Sequence, residues 1–445
     1  MENVALNLIK KLNDAGFEAY VVGGAVRNKL LYMPIFDYDI ATSAKPDETE
    51  KVFSDFQTIK TGVKHGTIGV VVDKEVYEIT TFRTDGSYSD HRKPDSVTFV
   101  SSLKEDLMRR DFTVNAMAYG EDEKIIDYCG GKEDVKNRII RAVGEPEIRF
   151  EEDALRILRA VRFCAQYGFK IEEKTYSAML ARKGLLKNVS AERVYTELSK
   201  TIVGKYAPDA LYRYKEILFE VIPELRKTDG FNQHSLSHDH DVFNHTLIAL
   251  KACKKRTSVV MWALLLHDIG KPDCFYYGAD GYGHTMGHME KSKEISEGIL
   301  NRLKFPSKLK NDVLTLILNH DREISKSEYD VKKYVNKYGL EATVNLYYLK
   351  EADNFAHSSY GLKRFVSGVK QLKYYLDDII GNNKPIFVSD LDIDGNDLQK
   401  LNVTGKDIGA LLDELLDFVL QEKVVNEKSA LISKAEEIRN NLKNN

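Results

Sequence analysis

Residues Val21–Pro46 read VVGGAVRNKLLYMPIFDYDIATSAKP, and the fold turns on this stretch. An apolar strand start runs into Gly23 and Gly24, Arg27 follows, and Asp37 and Asp39 arrive inside a second apolar run. Without Cβ atoms the two glycines let the backbone turn tightly and bring N–H groups close to a phosphate. On a strand, residues two apart share a face, so Asp37 and Asp39 are expected to present two carboxylates to one point. Carboxylates that close repel each other, and a divalent cation with oxygen ligands, most often Mg2+, relieves the repulsion. Either piece alone reads more simply as a turn or as an exposed strand edge.

Outward from this stretch, residues 1–20 form an amphipathic helix with Val4, Leu8, Ile9 and Leu12 at helical spacing and Gly16 near its end. Between Val21 and about Ile140 the pattern changes to short apolar or alternating runs: GTIGVVVD, VYEITTF, SVTFV, KIIDYCGG and RIIRAV. These are strands separated by turns. From Asp153 onward nearly everything has helical periodicity. The strand VYEITTF carries Glu78, a weaker third carboxylate for a two-metal phosphoryl-transfer site. Thr84–Ser96, rich in Asp, Ser, Gly and charge, is expected to be a long mobile loop.

Two further segments carry chemistry. In Leu107–Ala118, LMRRDFTVNAMA, Arg109, Arg110 and Asp111 are expected at the mouth of a helix with Phe112, Val114 and Met117 on its apolar face. Adjacent arginines suit a triphosphate by charge and by planar bidentate donors. Phe150–Ala165, FEEDALRILRAVRFCA, is expected to be one largely buried helix, yet Arg156, Arg159 and Arg162 recur in it every third residue. Buried arginines demand partners. Asp153, one turn before Arg156, would hold it, and a carboxylate beside a guanidinium offers acceptors and donors together to a base edge. Steps of three drift around the helix, so Arg159 and Arg162 are assigned to phosphate or to bracing neighbouring helices.

Taken together, the Gly-Gly-x-x-Arg and Asp-x-Asp stretch, RRDFTVNAMA and Glu152-Asp153-Ala154-Leu155-Arg156 resemble the nucleotidyltransferase superfamily with a polymerase-β-like head, specifically class II tRNA CCA-adding enzymes and bacterial poly(A) polymerases. The resemblance implies Mg2+ at the catalytic pair Asp37 and Asp39. It implies nucleotide binding by Gly24, Arg27, Arg110, Asp153, Arg156, Arg159 and Arg162, with protein side chains rather than a template choosing CTP or ATP. The family usually has Asp where this chain has Asn28, which would weaken a contact to Arg27. The full length of Thr84–Ser96 argues, through the same resemblance, against an enzyme that adds only CC. Ser190–Glu197, SAERVYTE, starts with a serine cap and resembles a neck-stabilising motif, so Glu192, Arg193 and Glu197 are assigned structural roles.

The middle of the chain holds a second set. His245, His267-Asp268, His288, His320 and Asp353 occur in the order H, HD, H, H, D, which resembles the HD phosphohydrolase superfamily. There, imidazoles and carboxylates hold one or two divalent metals that activate water against a phosphate ester. A single histidine on a helix is more often a satisfied core residue, and His284 and Asp321 lie near enough in sequence to displace His288 or His320. The stretch Leu391–Leu431 resembles the tRNA-gripping tail of CCA-adding enzymes.

The chain has 445 residues and a formal net charge of −3, so RNA contacts must come from local patches such as the modest Lys and Arg excess between Arg141 and Arg226. Its four scattered cysteines show no metal or disulfide spacing, no signal-peptide pattern opens it, and no run of about 18 apolar residues occurs, so a cytoplasmic location with no membrane contact is expected. The expected architecture is α+β: a mixed-sheet head (1–140), a helical neck that selects nucleotide and binds RNA (141–227), an HD domain (228–360) after the polar connector Thr228–His240, and a helical tail (361–445). The expected activity is template-independent addition of CCA to the tRNA 3′ end from CTP and ATP, with a possible second, metal-dependent phosphohydrolase activity in the HD domain. An A-only or poly(A)-adding enzyme is the nearest alternative, and an HD phosphohydrolase with an RNA-binding head is the alternative of another class. Oligomeric state is left open.

Overall fold

The computed structural model describes residues 1–86 and 97–443. It divides into two compact units, one of Met1–Arg226 with Arg302–Lys304, the other of Lys227–Asn301 with the chain from Phe305 onward.

The first unit opens with α1 (Glu2–Asp14), whose buried Ala5, Leu8, Ile9 and Leu12 lie at helical spacing. There follow β1 (Ala19–Val22), α2 (Gly24–Leu30), β2 (Asp39–Thr42), α3 (Pro46–Val52), β3 (Gln57–Ile59), β4 (Thr67–Val72) and β5 (Glu75–Thr81). A ribbon of β6 (Arg83–Asp85) and β7 (Val97–Phe99) leads to α4 (Leu103–Met108), β8 (Met117–Tyr119), β9 (Ile125–Asp127) and α5 (Gly131–Asn137). Seven strands make one sheet in the order β3-β4-β5-β2-β1-β8-β9, with β2 and β5 parallel and the other neighbours antiparallel. The remainder of the loop expected at Thr84–Ser96, residues 87–96, lies outside the described residues, and Thr84 and Asp85 belong to β6.

Strand register decides which side chains share a face. Val22 pairs with both Asp39 and Ala118, Ala41 with Thr80, and Ile40 with Ile79 in parallel. Val22, Ala41 and Ala118 pack with Phe82 against Leu103 and Leu107 of α4, which covers part of this face. Asp39, Glu78 and Thr80 stand on the part that α4 leaves open. Val21, Ile40 and Ile79 alternate to the opposite, fully buried face.

From β10 (Ile139–Ile140) on, the unit is mainly helical: α6 (Pro146–Glu152) and α7 (Leu155–Tyr167) lead to β11 (Lys170–Ile171), which pairs with β10 in parallel, and α8 (Glu173–Arg182), α9 (Ala191–Ile202), α10 (Ala207–Arg213) and α11 (Lys215–Val221) follow. Ser190 occupies the position before α9, but its hydroxyl makes no capping hydrogen bond, contrary to the serine cap expected there.

The second unit is built from α12 (Val242–Ala252), α13 (Ser258–Leu266), α14 (Lys271–Cys274), a hairpin of β12 (Tyr276–Tyr277) and β13 (Gly283–His284), α15 (His288–Arg302), α16 (Ser307–Asn319), α17 (Glu328–Tyr338), α18 (Leu340–Phe355), α19 (Ser359–Gly381), α20 (Gly395–Lys400), α21 (Lys406–Leu420) and α22 (Lys428–Lys443). Helix α13, SVVMWALLL, is apolar all round and accordingly buried, with Trp262 fully enclosed. The segment expected as a connector, Thr228–His240, is partly packed: Gln233 and Ser237 are buried. Helix α19 runs straight through residues 360 and 361. Among the described residues, no helix is long and apolar enough to cross a membrane.

Candidate nucleotide cleft and metal centre

A cleft of about 750 Å3 opens in the first unit between the uncovered sheet face and the N-terminal half of α7. Gly23, Gly24, Asp39 and Glu78 lie on its floor; Arg27, Arg156, Arg159, Arg162 and Arg193 reach it from helices, and Arg110 from the segment after α4. Gly23 has φ +73°, a conformation open to glycine at little cost. A Cβ there would stand 3.2 Å from Arg110 Nη1 and 3.7 Å from Asp39 Oδ2, so its absence lets a cation and an anion approach across one backbone turn.

Asp39 is the first residue of β2, and Asp37 precedes the strand rather than belonging to it. Val22 ends β1 opposite Asp39, and the chain then turns away into α2, which leaves Asp37 without a strand to pair with. Asp37 is exposed and does not line the cleft, whereas Glu78 does. Partial desolvation at the open cleft floor, where Asp39 is still exposed, pushes its carboxyl up to about 6, with Asp37 and Glu78 adding repulsion and Arg110 opposing it. A crowded set of hard oxygen donors is the chemistry a Mg2+ ion fits.

The two neighbouring arginines do not open a helix. Helix α4 ends at Met108, so Arg109 and Arg110 follow a C-terminus, where the helix dipole favours cations. Beyond them come a single 3-10 turn at Thr113–Asn115 and then β8. Buried Asp106 fixes both, accepting from Arg109 Nη2 at 2.7 Å and from Arg110 Nη2 at 3.1 Å. Burial raises its pKa, and the two guanidiniums more than reverse that.

A chain of buried polar contacts then crosses the unit. The Arg27 guanidinium donates through Nη1 to Asn115 Oδ1, and through Nη2 to the Tyr167 hydroxyl at 2.7 Å. Asn115 Nδ2 donates to Asp111 Oδ1 at 3.1 Å, and Asp111 Oδ2 accepts from Arg159 Nε at 2.8 Å and lies 2.6 Å from Arg159 Nη2. Burial works against the Asp111 anion, but Arg159 and Asn115 hold it at about 2. Asn28 Oδ1 does reach Arg27, accepting from Nη2 at 3.0 Å, so the contact survives as a neutral amide instead of a carboxylate.

The helix expected over Phe150–Ala165 is two helices. Asp153, with φ −141° and ψ 102°, separates α6 from α7 and accepts from Leu155 N at 3.1 Å, capping the second. Because of that break Asp153 does not face Arg156. Arg193 Nη2 donates to Asp153 Oδ2 at 2.7 Å, while Arg156 Nη1 donates to Glu152 Oε2 at 2.5 Å and to the Arg149 carbonyl at 3.1 Å. Arg193 therefore meets the cleft directly, beyond the structural role expected of it. Arg162 pairs with buried Glu197 at 3.0 Å and ties α7 to α9.

In the second unit six side chains converge. One ligand atom from each of His245, His267, Asp268 and Asp353 lies within 4.8 Å of the others, and the same holds for Asp268, His288 and His320. Each imidazole has its Nδ1 on a backbone carbonyl: His245 on Ala356, His267 on Leu264, His288 on Thr285 and His320 on Ile317. Donation there leaves Nε2 as the lone-pair nitrogen, turned to the centre. His288 and His320 meet Nε2 to Nε2 at 3.1 Å, a contact natural for two ligands of one cation. Asp268 stands between the groups, Oδ2 lying 3.2 Å from His267 and Oδ1 3.6 Å from His320. Neither oxygen makes a hydrogen bond of normal geometry, although Lys271 Nζ is 2.7 Å away. Mixed imidazole and carboxylate donors of this kind suit a transition metal or Zn2+. His284 is elsewhere, 3.0 Å from Asp280, and Asp321 is exposed.

Comparison with known proteins follows the same division. Residues 19–141 match the poly A polymerase head domain, 168–227 the probable RNA and SrmB-binding site of polymerase A, and 242–357 the HD domain. A CCA-adding enzyme of Lactobacillus johnsonii is 36% identical over 429 residues, covering 96% of this chain and 95% of that protein. The chain belongs to the CCA-adding enzyme family. The CCA-adding enzyme of Geobacillus thermodenitrificans is 55% identical over 207 residues, a match spanning 46% of this chain and about half, 51%, of that relative. The crystal structure of the Bacillus stearothermophilus CCA-adding enzyme in complex with CTP superposes with a TM-score of 0.70 at 32% identity, over 99% of this chain and 98% of that one.

Within this family member, sequence reasoning passed over Asp106, Asn115 and Tyr167 and gave Asp111 no partner. No sequence pattern singles out Asp106; its burial is what marks it. The signal for Asn115 was its nearness in sequence to Asp111; the turn at Thr113–Asn115 brings its amide to the carboxylate.

Proposed function

We propose that this chain adds C, C and A to the 3′ end of tRNA from CTP and ATP, releasing pyrophosphate. The observation that carries the reading is the cleft itself, where Asp39 and Glu78 stand at the foot of a wall of guanidiniums. Arg27 and Arg110 hold the triphosphate, Gly24 leaving room for Arg27 Nη2 3.3 Å from where its Cβ would be. Asp153 and Arg156 read the base from the two sides of the α6–α7 break, Arg193 fixing the first and Glu152 the second. Arg159 supplies charge over the phosphates from its anchor on Asp111, and Arg162 braces the wall through Glu197. Asp39 and Glu78 would hold Mg2+, with Asp37, outside the cleft but close enough to act on Asp39, as a third carboxylate, and the ion when bound lowers the pKa of the attacking hydroxyl and neutralises charge on the α-phosphate. Incubation with tRNA ending at the discriminator base, at C or at CC, with one labelled nucleotide at a time, tests this. Incorporation of A alone, or of A onto unrelated RNA, would assign an A-only or poly(A)-adding enzyme instead.

The convergence of His245, His267, Asp268, His288, His320 and Asp353 supports a second reading for the other unit, a divalent-metal phosphohydrolase. Metal-dependent hydrolysis of a phosphate ester that is lost in His267→Ala and kept in Asp39→Ala would establish it. Identical hydrolysis by both variants would remove it.

A further inference from the structure

The cleft has two unlike walls. On one side of Asp39 stand Arg27, Arg110 and Arg159, a surface for a polyanion. On the other side the open sheet face continues past Glu78 to Thr80, crosses the ladder to its register partner Thr67, and ends at His65. This wall offers hydroxyls and an imidazole, with the Arg83 guanidinium beside them, bonded to the His65 carbonyl. The Thr67 and Thr80 hydroxyls are 2.9 Å apart, so one donates to the other and the pair keeps one O–H and its remaining lone pairs for a ligand.

The wall is closely specified. A Cβ on Gly62 would come within 2.8 Å of Thr67 Cβ, and one on Gly66, at φ +84°, within 2.8 Å of the Phe99 ring. Two glycines thus fold the turn at 62–66 tightly, and the His65 carbonyl accepts from Arg83 Nη1. Across Gly69, the register partner of Glu78, and on the side of Glu78 away from the threonines, the same face forms an apolar ledge. Ile59 is 36% and Val76 44% exposed, and Gly69 lies between them, where a Cβ would meet Val76 at 3.0 Å and Ile59 at 3.3 Å.

In nucleotidyl transfer the attacking and leaving oxygens lie roughly in line through the phosphorus, so the two substrates must approach from opposite sides. The arginine wall takes the leaving pyrophosphate. We infer that the β4–β5 wall is the acceptor subsite: Thr67, Thr80 and His65 hold the terminal ribose, and the ledge of Ile59 and Val76 supports the nucleotides behind it. A ribose presents hydroxyls to hydroxyls and imidazole, and a base has an apolar face for the ledge. Lys64, exposed on the same turn, lies where the acceptor backbone would pass. This assignment rests on the addition reaction proposed above.

The test uses the full chain with Thr80→Val, which keeps the branched strand-compatible shape, and His65→Ala. With acceptor tRNA varied at saturating nucleotide, and the reverse, each variant should raise the KM for acceptor about tenfold, the loss of one hydrogen bond. The KM for CTP should stay within about twofold, and CTP binding at equilibrium should be unchanged. Equal rises in both KM values, or no rise for the acceptor, would overturn the assignment. An acceptor with a photoreactive 3′-terminal base should crosslink to residues 59–80, and crosslinks to 150–162 instead would also overturn it. The crosslink needs no turnover. A chain that crosslinks at 59–80 yet adds no nucleotide would keep the subsite and refute the reaction.

Discussion

Asp111→Asn removes one charge from the middle of the contact chain that joins Arg27 to Arg159. Asp111 is buried and receives both Arg159 and Asn115, along with the backbone N–H of Phe112 at 2.8 Å. An amide oxygen in its place can keep the two donors now on Oδ1, but the amide nitrogen replaces the oxygen that takes Arg159 and brings N–H donors toward a guanidinium. The folded-state pKa of about 2 against 3.8 implies roughly 2–3 kcal/mol of stabilisation at neutral pH, at about 1.4 kcal/mol per unit. Leaving Arg159 without its anion points the same way, at less than the cost of a fully buried pair because about a third of its side chain is open to the cleft. A loss of about 3 kcal/mol is therefore expected at pH 7. Because the folded pKa is depressed, this stabilisation is complete above about pH 4 and is lost as pH falls toward 2. Urea denaturation monitored at pH 7 and at successively lower pH measures both: the variant should have the lower midpoint at pH 7, and the gap should shrink below pH 4. Adding Arg159→Met should restore part of the stability, since it removes the stranded cation. A variant as stable as wild type at pH 7, or a gap that widens in acid, would refute the account.

Three other outcomes are expected. Asp39→Ala abolishes nucleotide addition, a loss of at least about 10³-fold, while CTP still binds through the arginine wall; filter binding beside an addition assay separates the two. Arg156→Ala costs discrimination more than rate, because Arg156 both faces the cleft and supports the Arg109 carbonyl at 3.3 Å; single-nucleotide incorporation should show UTP and GTP gaining about tenfold relative to CTP and ATP. His267→Ala lowers the divalent-metal content of the purified protein, read by elemental analysis, and leaves addition within about twofold of wild type.

The mixed-sheet head and helical remainder were legible in the sequence because strand alternation and helical periodicity are local signals. The clustering of His245, His267-Asp268, His288, His320 and Asp353 was legible as an order of residue types, although only the packing of α12, α13, α15, α16 and α18 sets His284 aside in favour of His288. Pairing within the cleft was not legible. The apolar run after Asp153 disguised a break that exists because its carboxylate caps the following helix and meets Arg193, forty residues away. In the same way, Arg109 and Arg110 looked like the start of a helix because Phe112, Val114 and Met117 mimic helical spacing. In fact Phe112 and Met117 belong to a bridge to Ala142 and to β8. Long-range partners decide such cases, and periodicity does not contain them.

Each guanidinium of the cleft wall described above already has a protein acceptor: Asn115 and Tyr167 for Arg27, Asp106 for Arg110, Asp111 for Arg159, Glu152 for Arg156, Glu197 for Arg162 and Asp153 for Arg193. Long side chains that folding has already immobilised lose little further freedom when a ligand arrives, so the wall is preorganised. A rigid array also cannot rearrange to welcome a base of the wrong outline, which makes restraint among the arginines, as much as their charge, a source of selectivity.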